Sequence, residues 1–162
     1  MSPLKEGDQA PDFTLPDDEG QPFRLKEALQ ESNVILYFYP RDFTPGCEAE
    51  AQGFRDEAKM FLGLDAVVVG ISTGTVRSKA EFKKRFGLNF RLVADEQKVV
   101  CGLYGAMGLL GITPKRVTFV IARDGTIKRV HEGVLPLKHV EAAKEALFQL
   151  RHGEAGPAAS VA

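Results

Sequence analysis

Two stretches of the chain are apolar at almost every position: Val34-Ile35-Leu36-Tyr37-Phe38-Tyr39 and Ala66-Val67-Val68-Val69-Gly70-Ile71-Ser72. Short continuous runs, rich in β-branched and aromatic residues and followed by turn signals, predict strands covered on both faces. From Thr44 to about Leu62 the pattern changes: helix formers dominate, and apolar residues recur three and four apart. The same spacing predicts helices over Thr75 to Phe86, with Gly87 at the expected C-cap, and over Leu137 to Leu150. Phe90 to Ala94 reads as a short strand, and Asp95 as the N-cap of a helix running to about Tyr104. Val117 to Ile121 and Thr126 to Val130 flank Asp124-Gly125 and read as a hairpin. Asp12 to Leu15 and Pro22 to Leu25, on either side of the turn-rich Pro16-Asp17-Asp18-Glu19-Gly20, predict a second hairpin at the N-terminus.

Strands alternating with helices, then a hairpin and a last helix, indicate an α/β fold with a central mixed sheet flanked by helices. A thioredoxin-like arrangement with an N-terminal β-hairpin extension fits this order. Residues 1–150 read as one domain and 151–162 as a flexible tail of small residues, Gly and Pro. The longest apolar stretches fall short of the roughly 20 residues that span a bilayer, and the N-terminus has no apolar core of signal-peptide length. Two cysteines in 162 residues make no disulfide framework, so a reducing cytoplasm is the expected location. A formal net charge of −1 and the lack of a basic stripe argue against nucleic acid as a partner.

Other polar signals read plainly. His131, His139 and His152 share no ligand spacing with Cys or acidic residues; they are expected at the surface or in loops, with no metal. Gly102, Gly105 and Gly108 lack the βαβ context of a dinucleotide site, and no cofactor is implied. Glu48, Glu50, Asp56 and Glu57 read as a solvated helix face.

Cys47 is the chemical candidate. It follows Pro45-Gly46 in the first turn of a helix that springs from the first buried strand. Free backbone N–H groups and the positive helix end favour a thiolate there. A free thiol of pKa about 8.5 is only about 3% ionised at pH 7. Lowering such a pKa to about 6 requires roughly 3.4 kcal/mol of preference for the anion. A helix N-terminus supplies at best about 2 kcal/mol, so a cation must help, and Arg suits best. Thr44, three residues before Cys47, can bring its hydroxyl beside the sulfur, where it both donates and accepts. Pro40 and Pro45 stiffen the loop and shield the sulfur from bulk water.

Pro40, Thr44 and Cys47 form a P-x-x-x-T-x-x-C pattern that resembles the active-site signature of the peroxiredoxins. Together with Phe38-Tyr39-Pro40, Gly53-Phe54-Arg55-Asp56, the opening Gly7 to Leu15 and Arg116 to Ile121, it most resembles the bacterioferritin comigratory protein, or peroxiredoxin Q, branch. The likeness covers roughly residues 5 to 150. It implies a thioredoxin-like fold and a thiol-dependent peroxidase that reduces hydrogen peroxide and organic hydroperoxides through a sulfenic acid. Cys47 would attack the peroxide, Thr44 orient it, Pro40 wall the pocket and Arg116 supply the cation.

The chain departs from that branch in its second thiol. Many members carry a resolving cysteine five residues after the first, where this chain has Gln52; others place it in the region of Thr75 to Phe86, which has none. The remaining thiol is Cys101, read either as a resolving cysteine or as a small buried hydrophobe. A one-cysteine mechanism with an external reductant (thioredoxin, glutaredoxin or a small thiol) is preferred, in a monomer or weak homodimer. The apolar, Gly-rich Gly105 to Ile112 reads three ways: a rim to the pocket, a dimer contact, or a loop folded on the core. Two rival functions remain. A disulfide oxidoreductase needs a vicinal cysteine pair, and a non-catalytic binding module such as a copper carrier needs paired thiols with a histidine.

Overall fold

The chain runs β1 (Thr14–Pro16), β2 (Pro22–Arg24), α1 (Leu25–Glu31), β3 (Asn33–Phe38), α2 (Pro45–Gly63), β4 (Ala66–Ser72), α3 (Val76–Phe86), β5 (Arg91–Ala94), α4 (Val99–Leu103), β6 (Val117–Ile121), β7 (Ile127–Glu132) and α5 (Pro136–Gly153). The structure, a computed structural model, describes residues 4–153. Five strands form a mixed sheet in the order β5-β4-β3-β6-β7, with β3 parallel to β4 and antiparallel to β6. β1 and β2 form the expected N-terminal hairpin. It is fastened to the sheet edge by Asp17, which pairs with Arg91 at 2.9 Å, and by Asp18, which accepts from the Leu92 N–H.

Every residue of β3 is buried, as its unbroken apolar run requires. Its side chains alternate between two cores. Val34, Leu36 and Phe38 pack with Val100, Cys101, Tyr104 and Phe119 beneath the N-terminal hairpin. Ile35 and Tyr37 pack with Cys47, Phe54, Phe61, Phe82 and Val140 beneath α2, α3 and α5. On α2, Cys47, Ala51 and Phe54 fall on one buried stripe at helical spacing. The two cysteines therefore lie on opposite faces of the sheet.

Four expectations need correction. Leu25 does not end a strand; it opens α1, whose Leu25 and Leu29 are buried one turn apart. Asp95 does cap, but late: Lys98 turns back through φ 63, and both Asp95 oxygens accept from Val100 and Cys101 N–H at the start of a short α4. α5 continues to Gly153, so 151–153 are helical; the rest of the expected tail lies outside the described residues. The loop after Gly105 is folded on the core only at its base, where Ala106 is buried and Met107 bridges to Pro114. Its tip, Leu109 and Leu110, is fully open to solvent. Among the described residues no helix is long and apolar enough to cross a membrane.

Candidate active site

β3 delivers the chain into a loop, 40–44, that is held from below. Asp42 is buried, and its carboxylate accepts from the Tyr39 hydroxyl at 2.6 Å, Ser78 Oγ at 2.7 Å and Lys79 Nζ at 3.0 Å. Burial pulls the Lys79 ammonium below its usual pKa, and Asp42 opposes that pull. These bonds let Phe43 adopt a left-handed φ of 62, a conformation that non-glycine residues keep only when their surroundings impose it. The Pro40 carbonyl accepts from Ser72 Oγ at 3.4 Å, joining the loop to the end of β4.

The loop ends at Thr44, the N-cap of α2, with Pro45 at the first helical position. The first intrahelical bond runs from the Glu48 N–H to Thr44 O, so the Gly46 and Cys47 N–H groups precede it. The Thr44 hydroxyl does not cap the helix. It donates to Arg41 O at 3.0 Å, which leaves its lone pairs to accept from a neighbour. Pro40 and Thr44 line a cleft of about 690 Å³ together with Ser72, Thr75, Ser78 and Thr113. Cys47, three residues on from Thr44, does not itself line the cleft and is only 1% exposed.

Arg116 enters from the residue just before β6. Its Nη2 lies 3.6 Å from Cys47 Sγ and its Nη1 2.6 Å from Glu50 Oε1. Burial works against the guanidinium charge, but Glu50 and Cys47 beside it hold its pKa above the ordinary value. Gly46 makes room for this approach. A Cβ there would stand 2.9 Å from Arg116 Nη2, the same nitrogen that reaches the sulfur. Gly46→Ala is therefore expected to push the guanidinium away and slow any chemistry at Cys47 about tenfold, or ~1.4 kcal/mol of barrier. Stability should hardly change, because alanine is the better helix former. Stopped-flow rates for variant and parent check this; equal rates would mean that the guanidinium gives way freely.

Two expectations about polar residues are overturned here. Glu50 is not on a solvated face: its side chain is fully buried and faces Arg116. His139 is not at the surface: it is fully buried, with Nδ1 2.8 Å from Thr118 Oγ1, Nε2 2.8 Å from Gly133 O, and Nδ1 3.8 Å from Glu50 Oε2. Burial pulls its imidazole down to about 4, so the ring is neutral near pH 7. His131 is half-buried against it, and of the three only His152 is exposed. A sequence signal for Glu50 existed, since it stands three residues after Cys47 and so on the same side of the helix. None existed for His139, nor for the pairing of Asp42 with Lys79 across the fold.

Cys101 is wholly buried on the far side of the sheet, its N–H bonded to Asp95 Oδ2 at 2.8 Å. Burial, reinforced by Asp95, pushes its thiol pKa far up. It is not brought near Cys47.

Residues 6–130 match the family described as AhpC/TSA. Peroxiredoxin Bcp of Escherichia coli K12 is 37% identical over 145 residues, covering 86% of this chain and 92% of its own. Chloroplastic peroxiredoxin Q of Sedum lineare is 36% identical over 150 residues, covering 91% and 80%. The crystal structure of peroxidoxin BcpB from Mycobacterium tuberculosis superposes with a TM-score of 0.85 at 40% identity, covering 90% of this chain and 97% of that one.

Proposed function

Because the chain belongs to the AhpC/TSA family of peroxiredoxins and is a thiol-dependent peroxidase, we propose that Cys47 is its attacking sulfur, served by Thr44, Pro40 and Arg116. The contact of Arg116 Nη2 with Cys47 Sγ carries this reading. A fixed guanidinium favours the thiolate over the thiol, and in a site closed to bulk water its charge is weakly screened. The same donors can follow the negative charge onto the leaving oxygen as the O–O bond breaks. Thr44, its proton committed to Arg41 O, is left as an acceptor for the peroxide's own proton. Pro40 lines the cleft, presenting no N–H to compete for substrate.

The sulfenic acid is then reduced by a thiol from outside the chain. A bridge to Cys101 needs the two Cα atoms within about 7 Å, and the sheet lies between them. The same separation counts against the disulfide-oxidoreductase alternative, which wants two thiols in one turn. For the chain itself we favour a monomer or weak homodimer in the cytoplasm, where both cysteines stay reduced.

Mass analysis after one equivalent of peroxide tests the division of labour. Parent and Cys101→Ser are both expected to gain a single oxygen without forming a bridge. A loss of two hydrogens in the parent that disappears in Cys101→Ser would instead make Cys101 the resolving thiol.

A further inference from the structure

One cation faces two acids on the floor of the site. Arg116 spans Glu50 Oε1 and Cys47 Sγ, its side chain 11% exposed and that of Glu50 fully buried. Were both acids ionised, the cluster would hold an uncompensated negative charge out of water, which is costly. The neighbouring ion pair, Lys79 with Asp42, is already balanced within itself.

The second oxygen of Glu50 indicates where a proton belongs. Oε2 is buried without a hydrogen-bond partner and faces His139 Nδ1 at 3.8 Å. The Gly133 carbonyl can only accept, so His139 Nε2 carries the ring proton and Nδ1 is an acceptor, to which Thr118 Oγ1 donates. An ionised Oε2 facing that unprotonated ring nitrogen finds no donor and is repelled by its electron density; protonation of Glu50 removes the unanswered charge. Burial also pushes the Glu50 carboxyl up to about 8, against the opposing pull of Arg116.

The groups around this pair come from every layer. β6 contributes Thr118 and, just ahead of it, Arg116; α5 contributes His139, and α2 Cys47. β7 places His131 with its ring 4.6 Å from that of His139. β3 contributes Tyr37, whose buried hydroxyl is likewise unpartnered and senses the charges of Glu50 and Cys47.

We propose that Cys47 and Glu50 share one proton around Arg116: the sulfur ionises while Glu50 stays protonated, and His139, whose Nδ1 has no proton to offer Oε2, is the positioning residue that keeps it so. Attack consumes the anion that Arg116 balances. The S–O bond forms, the O–O bond breaks, sulfur is oxidised to the sulfenic acid, and the alkoxide leaves and takes up the proton that Glu50 gives up. Glu50 ionises in place of the thiolate, so the cluster is neutral before and after.

This deepens the assignment of Cys47 and rests on it, but its test needs no peroxide. Reduced protein, in a Cys101→Ser background, is alkylated with iodoacetamide in weak buffer at a pH where the ultraviolet band of the thiolate is fully developed. One proton per thiol is expected from it, because Glu50 ionises once the sulfur is no longer an anion; none is expected when Glu50→Gln is added. No release without Glu50→Gln, or equal release with and without it, would overturn the pairing. Should Glu50→Gln fail to fold, difference infrared spectroscopy on the Cys101→Ser protein reads the same event. A protonated-carboxyl band lost on alkylation supports the pairing, and an unchanged carboxyl region refutes it. His139→Leu, which frees Thr118 to bond an ionised Glu50, is expected to move the thiolate band to higher pH; an unmoved band removes His139 from the scheme. Peroxide consumption by parent and Cys47→Ser decides separately whether Cys47 attacks.

Discussion

Cys47→Ser will reduce peroxide consumption to the uncatalysed background while leaving the fold as stable as before. A serine hydroxyl stays un-ionised near neutral pH, even beside a guanidinium. Its oxygen is also a far poorer nucleophile toward an O–O bond than a thiolate. The substitution changes one atom of nearly the same shape at a residue only 1% exposed, with Arg116 still placed to donate to the oxygen. Loss of activity with an unchanged thermal midpoint is therefore the expected pair of results. If the variant consumed peroxide at the parent's rate, the chemistry would have to lie elsewhere. The remaining thiol, Cys101, is an unpromising replacement, since it is buried and Asp95 opposes its ionisation.

Arg116→Ala should slow peroxide reduction by about 10²–10³-fold, the usual consequence of removing one preorganised donor from a developing negative charge. Two losses combine: less thiolate at a given pH, and no cation following charge onto the departing oxygen. The alkylation rate of Cys47 should accordingly reach its plateau at a higher pH than in the parent. Arg116→Lys is expected to recover only part of the rate. An ammonium restores the charge, but it lacks the planar fork that reaches Sγ and Glu50 Oε1 with separate nitrogens. Stopped-flow kinetics over a pH series check all three proteins, and an alanine variant whose profile overlays the parent's would remove Arg116 from catalysis.

The parts of the site that were readable in advance are those made by neighbours in the chain. Val34 to Tyr39 could only be a covered strand, Pro45-Gly46 could only start a helix cleanly, and Cys47 had to follow in its first turn. Arg116 was reached by resemblance rather than by spacing, because 69 positions separate it from Cys47. Glu50 and His139 were misread for one reason. A charged or polar residue on an amphipathic helix is normally solvated, and nothing local shows that Arg116, just ahead of β6, will meet Glu50 or that Thr118 of β6 will meet His139. Asp42 and Lys79 were passed over in the same way: each looks like surface until α3 is laid against the loop.

Local order along the chain, then, determined the sheet, the helix that carries the sulfur and the turn that presents it, since hydrophobic period and turn chemistry act over a few residues. The tertiary structure alone decided which charges accompany that sulfur underground and that the second cysteine stands across the sheet. Burial is a property of what packs against a residue, and for Glu50, His139 and Cys101 those partners come from distant segments.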